Sequence, residues 1–239
     1  MKIRSLPLIA GLLLAAAVLM DGCSGGRVSD LCEAIKEGDN EEAVKIAEEV
    51  KDLNAESSAF PRLAEKLEAE VTTPLVKACE TGNAEMIVWL LDNGARTDYA
   101  PGRTLYPLES FCDTGSGAGP EALHKLLECG ADPNQYKNRP PLFRLAGTLR
   151  HRSDETMPAG IEMTMMLIDS GAEWQDPTDG YTILHYAAMQ KDGTLMRRLL
   201  ERPEASDYIE TRGDDGKMPA DLAEESGNAE GLALLRNMA

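Results

Sequence analysis

The apolar residues of this chain fall in short stripes at helical spacing, each closed by a polar or glycine-containing break. Leu31, Ala34 and Ile35 form one stripe over 28–36, with Ser29 as its candidate cap; Ala43, Val44, Ile46 and Ala47 form a second over 41–49. A spacing of three and four residues places such positions on one face of a helix. Leu63, Leu67 and Val71 follow Pro61 at the same spacing, and proline is a good first helical residue, so an extra or extended helix is expected within 51–71. Later stripes are Val88-Trp89-Leu90-Leu91, Leu123 to Leu127, Met166-Leu167-Ile168 and Leu232 to Leu235. The first three of these lead, after one acidic residue each, into Asn93-Gly94-Ala95, Cys129-Gly130-Ala131 and Ser170-Gly171-Ala172. The expectation is a chain of short paired helices.

One stretch defines the unit. Asp179-Gly180-Tyr181-Thr182-Ile183-Leu184-His185-Tyr186-Ala187-Ala188 reads as a tight turn, a helix cap and a short helix. Gly180 has no Cβ to oppose a positive φ, and the Thr182 hydroxyl can cap the helix that follows. Related openings precede each apolar stripe: Thr73-Pro74-Leu75, Pro107-Leu108, Pro141-Leu142 and Pro219-Ala220-Asp221-Leu222-Ala223. Pro74 and Pro107 stand about 33 residues apart. A degenerate first copy runs from Leu31-Cys32-Glu33-Ala34 to Gly38-Asp39.

Together these blocks resemble the ankyrin repeat, whose units open on Thr-Pro-Leu-His-x-Ala, although Ile183 stands where that motif has proline. The resemblance covers roughly residues 28–239. It implies an all-α solenoid of about six helix-turn-helix units with projecting β-turn fingers. The longer steps are attributed to insertions, at Thr114 to Gly119 and, largest, at Gly147 to Gly160, whose glycines suggest mobility. The fingers are expected at Arg96 to Thr104, Asp132 to Arg139, Glu173 to Tyr181 and Glu204 to Lys217. In the ankyrin family such fingers and the exposed side of the first helices form a concave binding surface.

The first residues lie outside that pattern. Lys2 and Arg4 precede the apolar run Leu6 to Met20, which is short for a membrane span but suits a signal peptide over 1–22. Gly22-Cys23-Ser24-Gly25-Gly26 resembles the processing site of bacterial lipoproteins, with Asp21 and Met20 departing from the usual residues. The resemblance implies acylation of Cys23, a tether over 23–27, and a lipid anchor in the cell envelope, with Ser24 favouring the outer membrane facing the periplasm. The alternative is cleavage after Ala15-Ala16-Ala17, giving a soluble periplasmic or secreted protein.

Charge narrows the partners. The chain has 239 residues and a formal net charge of −17, with acidic residues spread along its length. Phosphate backbones and anionic lipid surfaces would be repelled, so nucleic acid is excluded and a basic protein surface is favoured. Four cysteines remain besides Cys23. Cys79 and Cys112 fall at equivalent places in successive first helices, and stacked helices lie farther apart than a disulfide reaches, so Cys32, Cys79, Cys112 and Cys129 are expected as buried free thiols.

No pattern carries catalysis. His185 sits at the motif histidine, whose usual work is a bond to the neighbouring turn. His124 lies on a second helix. His151, with Arg150, Arg152, Asp154 and Glu155, matches no metal-ligand spacing. No nucleophile elbow, phosphate loop or Cys-x-x-Cys is present. The expectation is therefore no catalytic residue, no metal and no cofactor. Tyr99, Arg103, Tyr136, Arg139, Trp174 and Tyr181 fall in fingers, and Tyr, Trp and Arg dominate interface hot spots. They are the candidate partner-binding residues; the alternative is that some rings fold back over their own hairpins. Arg144, Arg150 and Arg152 form a basic patch, read first as a solvated loop and second as a further contact site. The leading function is a monomeric, envelope-anchored module that binds one protein partner, of immunity or protector type. The alternatives are a passive tether in the envelope and, far behind, an enzyme subunit.

Overall fold

The computed structural model describes residues 24–58, 71–114, 117–150 and 155–238. Within these residues the protein is all-α. Six helix pairs follow one another: α1 Ser24–Glu37 with α2 Asn40–Glu49, α3 Pro74–Thr81 with α4 Ala84–Asp92, α5 Pro107–Asp113 with α6 Gly119–Glu128, α7 Pro141–Leu149 with α8 Met157–Asp169, α9 Ile183–Ala188 with α10 Thr194–Leu200, and α11 Pro219–Ser226 with α12 Ala229–Met238. A 3-10 turn, Pro203–Asp207, follows α10, and Gln175 and Thr182 form an isolated β-bridge. No helix among the described residues is long and apolar enough to cross a membrane.

The local signals explain the pairs. Gly82 and Gly227 take left-handed φ values of 69° and 74° at the ends of α3 and α11, which turns the chain sharply into the partner helix. The next residue then caps that helix: the Asn83 side chain accepts from the backbone N–H of Met86, as Asp39 accepts from Glu42 before α2. At the far ends, the amides of Ala95, Ala131 and Ala172 donate to Leu90, Leu126 and Leu167 at 2.9, 3.0 and 3.0 Å. The three Gly-Ala breaks thus close their helices in one way.

Packing follows the alternation of faces. The first helices touch in the series α1, α3, α5, α7, α9, α11. Among the second helices, α4 packs on α6 and α6 on α8, while α10 packs on α12. Contact between α2 and α4, and between α8 and α10, is sparse. Leu90, Leu123, Leu126, Phe111, Phe143, Leu142 and Leu184 are fully or almost fully buried between the layers. Removing one such leucine side chain costs about 2–5 kcal/mol.

Several expectations are corrected here. The tether expected over 24–27 is helical in the structure, because α1 continues upstream of the buried Val28 and Arg27 pairs with Glu49 at 2.9 Å. Gly147 and Gly160 lie inside α7 and α8, so both ends of the insertion expected at 147–160 extend helices, while residues 151–154 lie outside the described residues. Cys32 is buried, Cys79 and Cys112 are buried free thiols, and burial pushes the Cys79 and Cys112 thiols well above their usual pKa. Cys129, however, is exposed, since it stands in the turn after α6. Residues 51–58 lie in turns and bends and Val71 is not helical; the rest of the helix expected within 51–71, like Cys23, lies outside the described residues.

Candidate functional site

The loops that leave each second helix and enter the next first helix form a row joined side to side. Its anchor is Glu109, in the first turn of α5, whose side chain is wholly buried. Its carboxylate accepts from the backbone N–H groups of Lys137, Asn138 and Arg139 at 3.0, 3.0 and 3.3 Å, and pairs with Arg144 of α7 at 3.1 Å. Arg144 also binds Asp113. A charge placed there is satisfied on every side, which is the condition for burying it. The loop 132–139 is thereby held against two helices.

From that loop, side chains reach to both neighbours. Lys137 Nζ donates to the carbonyls of Ala100 and Gly102 at 2.8 and 3.1 Å and sits over the Tyr106 ring. Burial lowers the Lys137 pKa. In the other direction Arg139 forks onto Asp176, which is fully buried, and Asp179, both at 2.5 Å, and donates to the Tyr186 hydroxyl. Asp176 also accepts from the Thr178 amide and hydroxyl at 2.9 and 2.6 Å, which shapes the tip of its loop.

The next junction is built around an aromatic stack. Tyr181 lies on His185 with ring centroids 4.7 Å apart, and its hydroxyl donates to Asp215 at 2.8 Å. Burial, reinforced by Asp215, raises the Tyr181 phenol to about 12. The Tyr181 ring covers Gly213 so closely that a Cβ there would overlap it. The amide of Asp214 donates to the Asp179 carbonyl at 2.9 Å. His185 Nδ1 accepts from the Thr182 amide at 2.9 Å, which leaves the proton on Nε2 to donate to the Lys217 carbonyl at 3.1 Å. Burial lowers the pKa of His185. The bond to the next turn expected of this histidine is therefore present.

The six residues expected to contact a partner separate into two sets. Arg103 and Tyr136 are exposed, Tyr136 at 38%, and Tyr99 is half-buried with its hydroxyl on Glu56 and Arg96 over its ring. Arg139 is engaged by two carboxylates, and Tyr181 is half-buried against His185 and Asp215. Trp174 is only 7% exposed and stacks on Tyr208, centroids 5.6 Å apart, so its placement as an accessible finger tip is corrected. It packs inward because the loop it enters is closed by the Ile183 amide bonding to its carbonyl. Asp98, Asp132, Glu173, Glu210, Asp214 and Asp215 face solvent along the same row.

Two further expectations change. Arg144 is 9% exposed at its side chain and belongs to the Glu109 cluster, so it does not join a basic patch with Arg150. Arg152 lies outside the described residues. Glu109 was missed, yet its position carried a signal. It occupies the place of His185 in the unit, and both reach forward from that place to the next loop. The structure groups Asp176, Asp179 and Tyr186 of one unit around Arg139 of the unit before it, a convergence that no local pattern displays.

No protein-family model matches the chain. No curated protein matches it. Among solved structures 368 chains match, so the architecture is a common one. One match lies in the structure of the Bd0816 predatory endopeptidase from Bdellovibrio bacteriovorus in complex with the immunity protein Bd3460. It is 18% identical, covers 87% of this chain and 96% of that chain, and has a TM-score of 0.59. At that identity the likeness is one of fold.

Proposed function

We propose that the protein is an ankyrin-repeat lipoprotein that binds one protein partner through its row of loops and the adjoining first helices. The observation that carries this reading is the row itself. Successive loops are bonded side to side into one continuous edge, which leaves Tyr99, Arg103 and Tyr136 presented beside a line of exposed carboxylates. The Pro-Leu openings and Gly-Ala closures of three successive helix pairs, and the Gly-Asn turns at equivalent places in the second and sixth, support the repeat family.

The acidic edge fits a basic protein surface, and steering by charge would speed the encounter. Binding on this reading needs recognition and no catalysis, so the protein acts as an immunity or protector module, held in the periplasm by an acylated Cys23. Sharing a fold with a chain of a complex that contains an immunity protein agrees with that role.

A photo-crosslinking residue placed at Tyr136 or Arg103 of the full chain should trap one partner in living cells. The same residue at Glu121, exposed in the first turn of α6 at the opposite ends of the helices, should trap none. Equal trapping at all three positions overturns the assignment. Cys23→Ala should abolish palmitate labelling and release the protein from membranes; unchanged labelling rules out the lipid anchor.

A further inference from the structure

A second site lies at the opposite ends of the helices, where the chain turns from first to second helix within a pair. Because α8 and α10 touch only sparsely, a cleft of about 340 Å³ opens between them. That volume falls at the low end of the range for ligand sites. Its apolar wall is Leu149, Met157 and Ile161, and its polar wall includes Gln190 and Asp192.

Charge distinguishes this cleft from the rest of the surface. Arg150, Lys191 and Arg198 all line it and all are exposed. On a chain of charge −17, most described lysines and arginines are in ion pairs, yet none of these three pairs with a described residue. Arg150 turns to the sulfur of Met189, a weak acceptor, at 3.6 Å. A second cleft, of about 490 Å³ beside Trp89, holds Glu48 and Asp52 with Lys51, and a third, of about 410 Å³, holds Asp207 and Glu210; neither has such an excess.

Gln190 supplies an independent observation. It is 3% exposed, and its amide nitrogen donates to the Tyr186 carbonyl at 3.0 Å, while its Oε1 has no donor. A buried carbonyl oxygen without a donor costs about 1–3 kcal/mol. The wall of the cleft therefore carries an unmet demand for an N–H group beside three exposed positive charges, opposed in the lining by Asp192 alone, and an apolar face.

We infer that this cleft is a docking site for an acidic peptide segment of a partner protein, with an apolar side chain between its carboxylates. The carboxylates meet Arg150, Lys191 and Arg198, the apolar side chain enters against Leu149, Met157 and Ile161, and a backbone N–H serves Gln190. A peptide brings all three groups at once; an anionic lipid headgroup such as phosphatidylglycerol brings the charge without the N–H. The site is distinct from the row of loops and would engage a different surface from the basic one proposed there.

The test uses the full chain with labelled methyl groups and side-chain amides, observed by NMR. The probe is the capped peptide acetyl-Asp-Leu-Glu-Leu-Glu-amide. Its lysine counterpart, acetyl-Lys-Leu-Lys-Leu-Lys-amide, and phosphatidylglycerol vesicles serve as rivals. The acidic peptide should shift the Gln190 side-chain amide and the Ile161 and Met157 methyl signals. Its affinity should fall at least tenfold in Arg150→Glu with Arg198→Glu, and in Lys191→Glu alone, with unchanged melting temperatures because all three side chains face solvent. The inference is overturned if the lysine peptide shifts the same signals equally, if only the vesicles do, if the acidic peptide shifts none of them, or if charge reversal leaves its affinity unchanged.

Discussion

Two buried groups carry the row of loops, and each yields a measurable expectation. Glu109 holds three backbone amides and Arg144, so Glu109→Gln strands a buried guanidinium and weakens the hold on loop 132–139. The expected loss is at least about 3 kcal/mol in urea denaturation. Tyr136→Ala, at an exposed position of that same loop, should cost under about 0.5 kcal/mol. His185 acts through its neutral form. Its folded pKa lies below the unfolded value because burial disfavours the cation. Its contribution is therefore fully present above the unfolded pKa, about 6.5, and is lost as pH falls toward the folded value, since the unfolded chain then binds the additional proton. Melting temperature should fall between neutral pH and pH 5, and the slope should be shallower in His185→Gln.

At the scale of elements, stability resides in the layers between helix pairs. Leu90→Ala and Leu126→Ala each remove a fully buried side chain and should cost about 2–5 kcal/mol. The exposed change Glu121→Gln, on α6, should cost under about 0.5 kcal/mol. Glu85 is a poor control despite its exposure, because it accepts from Asn40 of the preceding pair at 2.6 Å. The helices themselves were legible in the sequence. Apolar spacing, Pro-Leu openings and Gly-Asn turns act within a few residues, so the chain displays them directly. The site was legible only in outline. That Tyr, Trp and Arg gather in the loops could be read, but which of them face outward could not. Trp174 is turned inward by Tyr208, which lies beyond α10, and Arg139 is claimed by carboxylates of the following loop. Such contacts join residues more than thirty positions apart, where local pattern carries no information about pairing.

For the molecule as a whole, the acidic edge should show in kinetics before it shows in equilibrium. If a basic partner is steered to the row of loops, its association rate should fall as salt rises, while its dissociation rate changes little. Arg103→Ala with Tyr136→Ala should instead speed dissociation, and truncating a central aromatic contact of this kind weakens binding by at least about 2 kcal/mol. Stopped-flow measurements at several ionic strengths separate the two effects. An association rate indifferent to salt would remove charge steering from the account.

The cluster around Arg139 bears on how freely the units can be exchanged. Arg139 comes from one helix pair's approach, Asp176 and Asp179 from the next, and Tyr186 from the helix after them. Glu109 and Arg144 are likewise divided between neighbours. A repeat array made of interchangeable parts can be lengthened, shortened or shuffled with little regard for order. This one cannot: excising the third, fourth or fifth helix pair would leave an arginine or a carboxylate of these clusters beside a stranger. The array has become a sentence with a fixed word order, and its length and sequence of units are set by the side chains that cross each boundary.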